Sequence, residues 1–384
     1  MLELRKFVAP EFVFGAGAAG MAGRYARNHG GRVALLVADE GIRSAGWAAQ
    51  VEESLAEAGL RVIHFSDVSS NPRDVEVMRG VEVYARNACD CLVAVGGGSV
   101  MDCAKGIGIS HANQRHVLEF EGVDNVDRPG PPLVCIPTTA GSSADVSQFA
   151  IINDTQRRVK IAIVSKTVVP DAALIDPIPT TTMGEELTAH TGLDALTHAV
   201  EAYVSNAASP MTDLYALEAV RLISANLEGA VNKPRDLEVR GRMTLGSMYA
   251  GLAFSNAILG AVHAMAHSLG GFLDLPHGMC NAILLDHVMA YNYESSPERF
   301  LNLARAMGAD IPAGTPAEEA REAALEPARG LKRLAGVTQS LGDLGVRPED
   351  VAHLASMAAQ DPCLLTNPRA ADEAAIARIY EQAL

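Results

Sequence analysis

The chain has 384 residues, 48% of them hydrophobic, which is more than one ordinary core requires and predicts two domains of roughly 180 to 200 residues each. Its formal net charge of -15 provides no basic surface for a phosphate backbone or an anionic membrane, and so argues against nucleic-acid and membrane-surface roles. Action on small molecules fits better.

The opening MLELRKFVAPEFVFG is strand-like and interrupted by charge, where a signal peptide would show a continuous apolar run and a small-residue cleavage site. A cytoplasmic protein is expected. From Arg32 to about Asp176, short β-branched runs alternate with helical segments: VALLV (33–37), a helix over 44–58, RVIHF (61–65), a helix over 73–87 and CLVAV (91–95). The pattern predicts parallel strands linked by crossover helices, with strands apolar throughout because both faces are covered. LVCIP (133–137) adds a strand, SQFAIIN (147–153) and VKIAIV (159–164) predict an antiparallel hairpin around DTQRR, and ALID closes the series near Asp176.

From Thr180 onward apolar residues recur at helical spacing and no strand is expected. Thr182 and Glu185 form a capping-box pattern, and Ser209-Pro210 marks a second helix start. The uncharged stretch 244–273 reads as a buried core helix, since Ser247, Ser255, Asn256, His263, His267 and Ser268 interrupt its apolar surface. Segment 311–330 reads as a solvated helix with its loop. The predicted architecture is a Rossmann-like α/β domain over 1–180 and an all-helical, metal-binding domain over 181–384. The six cysteines form no CxxC pair and are expected as reduced thiols.

CLVAV runs straight into Gly96, Gly97, Gly98 and Ser99 and then a helix. Backbone N–H groups and the positive helix end there suit a diphosphate, and Asp102 and Lys105 can face the same ligand. Gly15, Gly17 and Gly20 satisfy GxGxxG with Asp39 some way downstream, yet the strand before them is very short and such matches arise by chance. The diphosphate is therefore assigned to GGGS. Asp39 is kept as the partner of an adenosine ribose, which favours NAD over NADP. The loop PTTAGSSADVS (137–147) offers the hydroxyls of Thr138, Thr139, Ser142, Ser143 and Ser147 after a strand, and Lys160 in the hairpin can reach the same cofactor.

Asp194 and His198 lie one helical turn apart on one face. His263 and His277 bracket Gly270-Gly271, which is expected to end a helix and fold the next loop back. No Lys or Arg occurs from Thr167 to Val220 or from Met243 to Glu298, so a buried Asp194 would lack a cation unless a metal supplies one. Such an N/O set suits Fe(II) or Zn(II). His267, one turn after His263, is a candidate proton relay.

GGGSVMDCAKG, PTTAGSSADVS, GLDALTHAVEAYVS and AVHAMAHSLGGFLDLPHG, in this order, resemble the iron-dependent (group III) alcohol dehydrogenases. The similarity runs from FGAG to the NPR at 367–369 and is strongest to enzymes for short primary alcohols and diols. It implies a Rossmann-like domain, a helical domain and a cleft between them, the fold also seen in dehydroquinate synthase. It also implies metal ligands at Asp194, His198, His263 and His277, iron being the expected ion and zinc the alternative, with His267 lining the active site. NAD contacts are implied at Asp39, Asn71, Gly97, Gly98, Ser99, Asp102, Thr138, Thr139, Ser147 and Lys160, and a homodimer or larger homo-oligomer is implied. Where the family often reads PTTAGTGSE, this chain has Ser143 for a Gly and Asp145 for a Glu.

The expected activity is NAD-dependent, metal-dependent interconversion of a small primary alcohol and its aldehyde. The alternative is a sugar-phosphate cyclase of the dehydroquinate synthase type. That enzyme must clamp a phosphate and a carboxylate, for which Lys and Arg are suited, and the metal-bearing segments contain neither.

Overall fold

The β-branched runs of the first half pair as expected. In the computed structural model, which describes residues 6–384, they are β1 (Glu11–Phe14), β2 (Val33–Val37), β3 (Arg61–Phe65), β4 (Cys91–Gly96), β5 (Gly122–Val123), β6 (Leu133–Pro137), β7 (Phe149–Asp154), β8 (Val159–Val164) and β9 (Ala172–Ile175). Six form one sheet in the order β1-β9-β6-β4-β2-β3, every neighbouring pair parallel. Helices α1 (Ala22–Asn28), α2 (Glu40–Ser44), α3 (Trp47–Glu57), α4 (Asp74–Arg86), α5 (Gly98–Asn113) and α6 (Pro177–Thr180) complete the unit Val8–Met183.

Strand alternation feeds two cores. Leu35, Val37, Leu92 and Ala94 enter one cluster, and Ala34, Leu36, Cys91, Val93 and Val95 enter the other, as a sheet covered on both faces requires. The helix expected over 44–58 is broken by Gly46, which takes φ 87 and caps α3. The hairpin of β7 and β8 is antiparallel, but it joins β5 in a separate three-stranded sheet.

The second unit comprises Gly184–Leu384 with Lys6 and Phe7. Its helices are α7 (Glu185–Val204), α8 (Pro210–Asn232), α9 (Leu237–Ala257), α10 (Ala261–Leu273), α11 (His277–Asn292), α12 (Pro297–Ala306), α13 (Ala317–Leu334), α14 (Val351–Ala358) and α15 (Glu373–Ala383). No strand occurs among its described residues. Ser209 caps α8 with Pro210 in its first turn, as the sequence predicts. Thr182 caps nothing: α7 starts from Gly184, and the Thr182 hydroxyl donates to the Pro179 carbonyl at 2.8 Å while accepting from Trp47 Nε1 at 3.0 Å.

The uncharged stretch is two mostly buried helices, α9 and α10, bent by 99°. No single helix among the described residues is long and apolar enough to cross a membrane. At the elbow Ile258 takes φ 62 and ψ -173, a region that is essentially glycine's and is costly for a β-branched residue. Gly270-Gly271 does not end α10. Burial of Leu269 and its neighbours carries the helix through both glycines, whose intrinsic cost is only about 1 kcal/mol each, and it stops at Asp274 in the left-handed region, φ 56. His277 is thus the first residue of α11, and not part of a loop.

Candidate active site

In the helical unit, α7 presents Asp194, His198 and Glu201 at i, i+4 and i+7, one stripe of a helix, and all three are buried. Helices α10 and α11 bring His263 and His277 against that stripe. Two glycines permit the approach. A Cβ on Gly278 would lie 2.7 Å from the His190 carbonyl oxygen of α7, and one on Gly260 would lie 2.8 Å from Asn367 Oδ1 and 2.9 Å from Glu201 Oε1.

The Nε2 atoms of His263 and His277 each stand 3.8 Å from Asp194 Oδ1. The Nδ2 atom of Asn281 sits among these three acceptors, at 2.6 Å from Asp194 Oδ1, 3.1 Å from His263 Nε2 and 3.2 Å from His277 Nε2. An amide has two hydrogens for three acceptors, so the trio is better matched by a single positive charge. Asp194, His263 and His277 form a cluster whose ligand atoms all lie within 4.8 Å of one another. His198 lies outside that cluster, but its ring stacks on His263 with centroids 4.4 Å apart and on Phe254 at 4.4 Å, and its buried Nδ1 has no hydrogen-bond partner.

Burial favours the neutral form of His198 and His263, the form a ligand needs. Desolvation pulls His198 down to about 4 and His263 down to about 3. The buried Glu201 carboxyl is pushed up to about 7 by desolvation, against the backbone N–H groups of Val262, Gly260 and His263 that favour its charged form. The set is buried except at His277, whose side chain is 26% exposed.

His267 stacks on His277 with centroids 5.3 Å apart and planes within 11°. Its Nδ1 bonds Asp361 Oδ2 at 2.8 Å. Burial works to raise the Asp361 carboxyl, but the charge and hydrogen bond of His267 outweigh it and hold it low.

Sequence reasoning missed Glu201, Asn281 and Asp361. Glu201 was visible as an acid one turn beyond His198 in a segment without cations, and Asn281 as a polar residue one turn after His277. Asp361 carries no such signal, because it reaches His267 across 94 positions.

In the α/β unit, Gly97 caps α5 and Gly98 opens it, so backbone N–H groups stand free at the end of a 16-residue helix. None of Gly96, Gly97 or Gly98 takes a positive φ, so the run is not there for a tight turn. Close approach explains two of them: a Cβ on Gly98 would lie 2.6 Å from Ser142 Oγ, and one on Gly96 would lie 2.6 Å from Val100. Thr138 is 3% exposed and its hydroxyl has no partner, an orphaned polar group beside that helix end. The competing motif is already filled. Gly17 and Ala19 N–H groups donate to Asp176 Oδ2 at 2.9 and 3.2 Å, so a buried carboxylate of the chain occupies the nest that a phosphate would need.

Other residues expected at a cofactor are engaged internally. Lys105 does not face a ligand: its ammonium is buried and donates to the Phe149 carbonyl at 2.6 Å and the Ser147 carbonyl at 3.1 Å, tying α5 to the hairpin. Ser147 Oγ lies 3.4 Å from that ammonium, Asp102 Oδ2 accepts from Ile151 N at 3.1 Å, and Ser99 Oγ donates to the Ser70 carbonyl. Asp39 caps α2 through Oδ1, 2.9 Å from Ile42 N. Asn71 and Thr139 are half-buried, and so is Lys160 on β8. Ser143, where the family often has Gly, takes φ 51.

Comparison with known proteins agrees with this geometry. The family described as "Iron-containing alcohol dehydrogenase" matches residues 9–177, and "Fe-containing alcohol dehydrogenase family, C-terminal" matches residues 188–384. The chain is 42% identical to 1,3-propanediol dehydrogenase of Klebsiella pneumoniae over 372 residues, 96% of each chain. It is 37% identical to NAD-dependent methanol dehydrogenase of Bacillus methanolicus over 378 residues, 98% of this chain and 99% of the other. A crystal structure of 1,3-propanediol oxidoreductase superposes with a TM-score of 0.96 at 41% identity, covering all of both chains. These matches do not favour the sugar-phosphate cyclase. Both halves, and the full length of each relative, agree that the chain belongs to the iron-containing alcohol dehydrogenase family.

Proposed function

We propose that this chain interconverts a short primary alcohol or diol and its aldehyde with NAD, at a divalent cation held by Asp194, His198, His263 and His277. The observation that carries the reading is the convergence of Asp194 Oδ1, His263 Nε2 and His277 Nε2 on the Asn281 amide, three acceptors around a centre that lacks enough hydrogens. The N/O donor set and its neutral imidazoles fit iron, with zinc as the alternative. The family supports a nicotinamide cofactor. Gly97, Gly98 and Thr138 are the residues best disposed to its diphosphate, and Asp39 to its ribose.

When bound, the cation would supply Lewis acidity to the alcohol or carbonyl oxygen and the nicotinamide would exchange the hydride. The chain supplies orientation and a proton path. Glu201 holds the His263 ring, and burial keeps His198 and His263 unprotonated at neutral pH. Asp361 holds His267 through Nδ1, so that Nε2 takes up the proton lost by the alcohol.

In this reading the enzyme is a cytoplasmic homo-oligomer. Its six cysteines are free and buried, in keeping with a reducing compartment, and light scattering would count its subunits. The test of function is a panel of short alcohols and aldehydes, followed by nicotinamide absorbance with iron and zinc supplied separately. His277→Ala should abolish aldehyde-dependent NADH oxidation while NADH binding persists. Retained turnover would remove His277 from the ligand set.

A further inference from the structure

Glu201 is 3% exposed, on α7, and its carboxylate meets three backbone N–H groups and one imidazole nitrogen. Oε1 accepts from Val262 N at 2.7 Å. Oε2 accepts from Gly260 N at 3.0 Å and His263 N at 3.4 Å, and lies 2.7 Å from His263 Nδ1. One side chain therefore caps the first turn of α10, which has no cap of its own, and grips the imidazole that this turn carries. Asn367 of the NPR motif completes the cap, its Oδ1 accepting from Ala261 N at 3.1 Å.

We propose that Glu201 is a positioning residue that fixes His263 in the Nδ1–H tautomer, so that its Nε2 lone pair is directed at the cation position beside Asp194. This rests on the reading of Asp194, His198, His263 and His277 as metal ligands. A neutral imidazole carries its proton on one nitrogen, and the nitrogen facing a carboxylate must be the one that donates. The other nitrogen is then an acceptor only, as its place 3.8 Å from Asp194 Oδ1 requires if both are to share a cation. The capping bonds fix the backbone of residue 263 and the fourth bond fixes its ring, so ligand position and ligand tautomer have one cause. Glutamine in this place has nearly the same shape but only one acceptor oxygen. Whichever way round its amide lies, an N–H meets an N–H, and the charge that makes the imidazole a stronger donor is gone.

The experiment uses the full-length, metal-stripped protein and zinc ion alone, in competition with a chromophoric chelator. The wild type should bind one zinc tightly, Asp194→Asn should lose it, and Glu201→Gln should bind 10- to 100-fold more weakly, the range roughly expected for loss of a partner behind a ligand. A melting temperature measured without metal separates this from a capping role. If Glu201→Gln lowers that temperature but binds zinc as tightly as the wild type, Glu201 is a helix cap only and the proposal is overturned. Zinc binding absent from the wild type, or unchanged in Asp194→Asn, would overturn the metal reading and this proposal with it. Should Glu201→Gln not fold, nitrogen NMR of histidine-labelled wild type, with His263 assigned by His263→Gln, reads the tautomer directly. A proton on Nδ1 supports the proposal and one on Nε2 overturns it.

Discussion

Asp361 and His267, 94 positions apart, are joined by a 2.8 Å bond between a carboxylate and Nδ1, and the ring so held lies parallel to His277. In the proposed mechanism this bond commits Nδ1 and leaves Nε2 as the nitrogen that acts as base. Replacing Asp361 with Asn removes the charge and lets the ring adopt either tautomer. Alcohol oxidation by Asp361→Asn should fall by roughly ten- to a hundredfold in kcat, part of what a positioned acid–base group contributes, while the metal content of the purified protein stays unchanged. Steady-state rates set beside metal analysis check both halves.

Asp39 has one oxygen committed to capping α2. Glycine is nearly as good a cap, costing only a few tenths of a kcal/mol, so Asp39→Gly should leave the melting temperature almost unmoved. It should raise NADP use relative to NAD, because the carboxylate that repels a 2′-phosphate is gone. The ratio of kcat/KM for the two cofactors measures this, and an unchanged ratio would remove Asp39 from the ribose site.

Ser143 holds φ 51 in the loop after β6. A left-handed backbone costs a side-chain-bearing residue about 1–2 kcal/mol, and glycine's extra freedom in the unfolded chain returns part of that. Ser143→Gly should therefore raise stability by roughly 0.5–1 kcal/mol. Urea midpoints of the two proteins, with equal slopes, read the difference.

The metal-free protein should weaken in acid through His198. Its folded value of about 4 lies below the ordinary value of 6.5, because burial opposes the charge, so the unfolded chain binds the proton first. The stability this contributes is complete above pH 6.5 and is lost as pH falls toward 4. His198→Phe has no such proton, so between pH 7 and pH 5 the wild type should lose more stability than the variant, by on the order of 2 kcal/mol. Denaturant titrations of chelator-treated protein at the two values provide the comparison, and parallel losses would contradict the assignment.

Local chemistry was legible along the chain. Continuous apolar runs gave β2, β4 and β6, Ser209-Pro210 gave the start of α8, and the i, i+4 pair Asp194 and His198 lies on one helix face, because each of these is settled by neighbours within a turn or a strand. The glycine signals were less faithful. Gly46 starts α3 three residues inside the helix expected over 44–58, and Gly270-Gly271 failed to break α10, since burial of surrounding side chains outweighs the modest preference of a single backbone unit.

Packing decided what each polar group does. Lys105 reads as ligand-facing in sequence, yet the fold makes it a tie between α5 and the hairpin, and Asp176, legible only as the end of a strand, becomes the anion that fills a glycine nest. Glu201 and Asp361 show the converse: the rings they hold, His263 and His267, lie 62 and 94 positions away, so the pairing itself is not written in either segment. The identity of ligand-type side chains is written residue by residue. The tautomer, charge and aim of those side chains depend on which donors and acceptors are brought within 3 Å in a water-poor interior, and only the folded chain sets that distance.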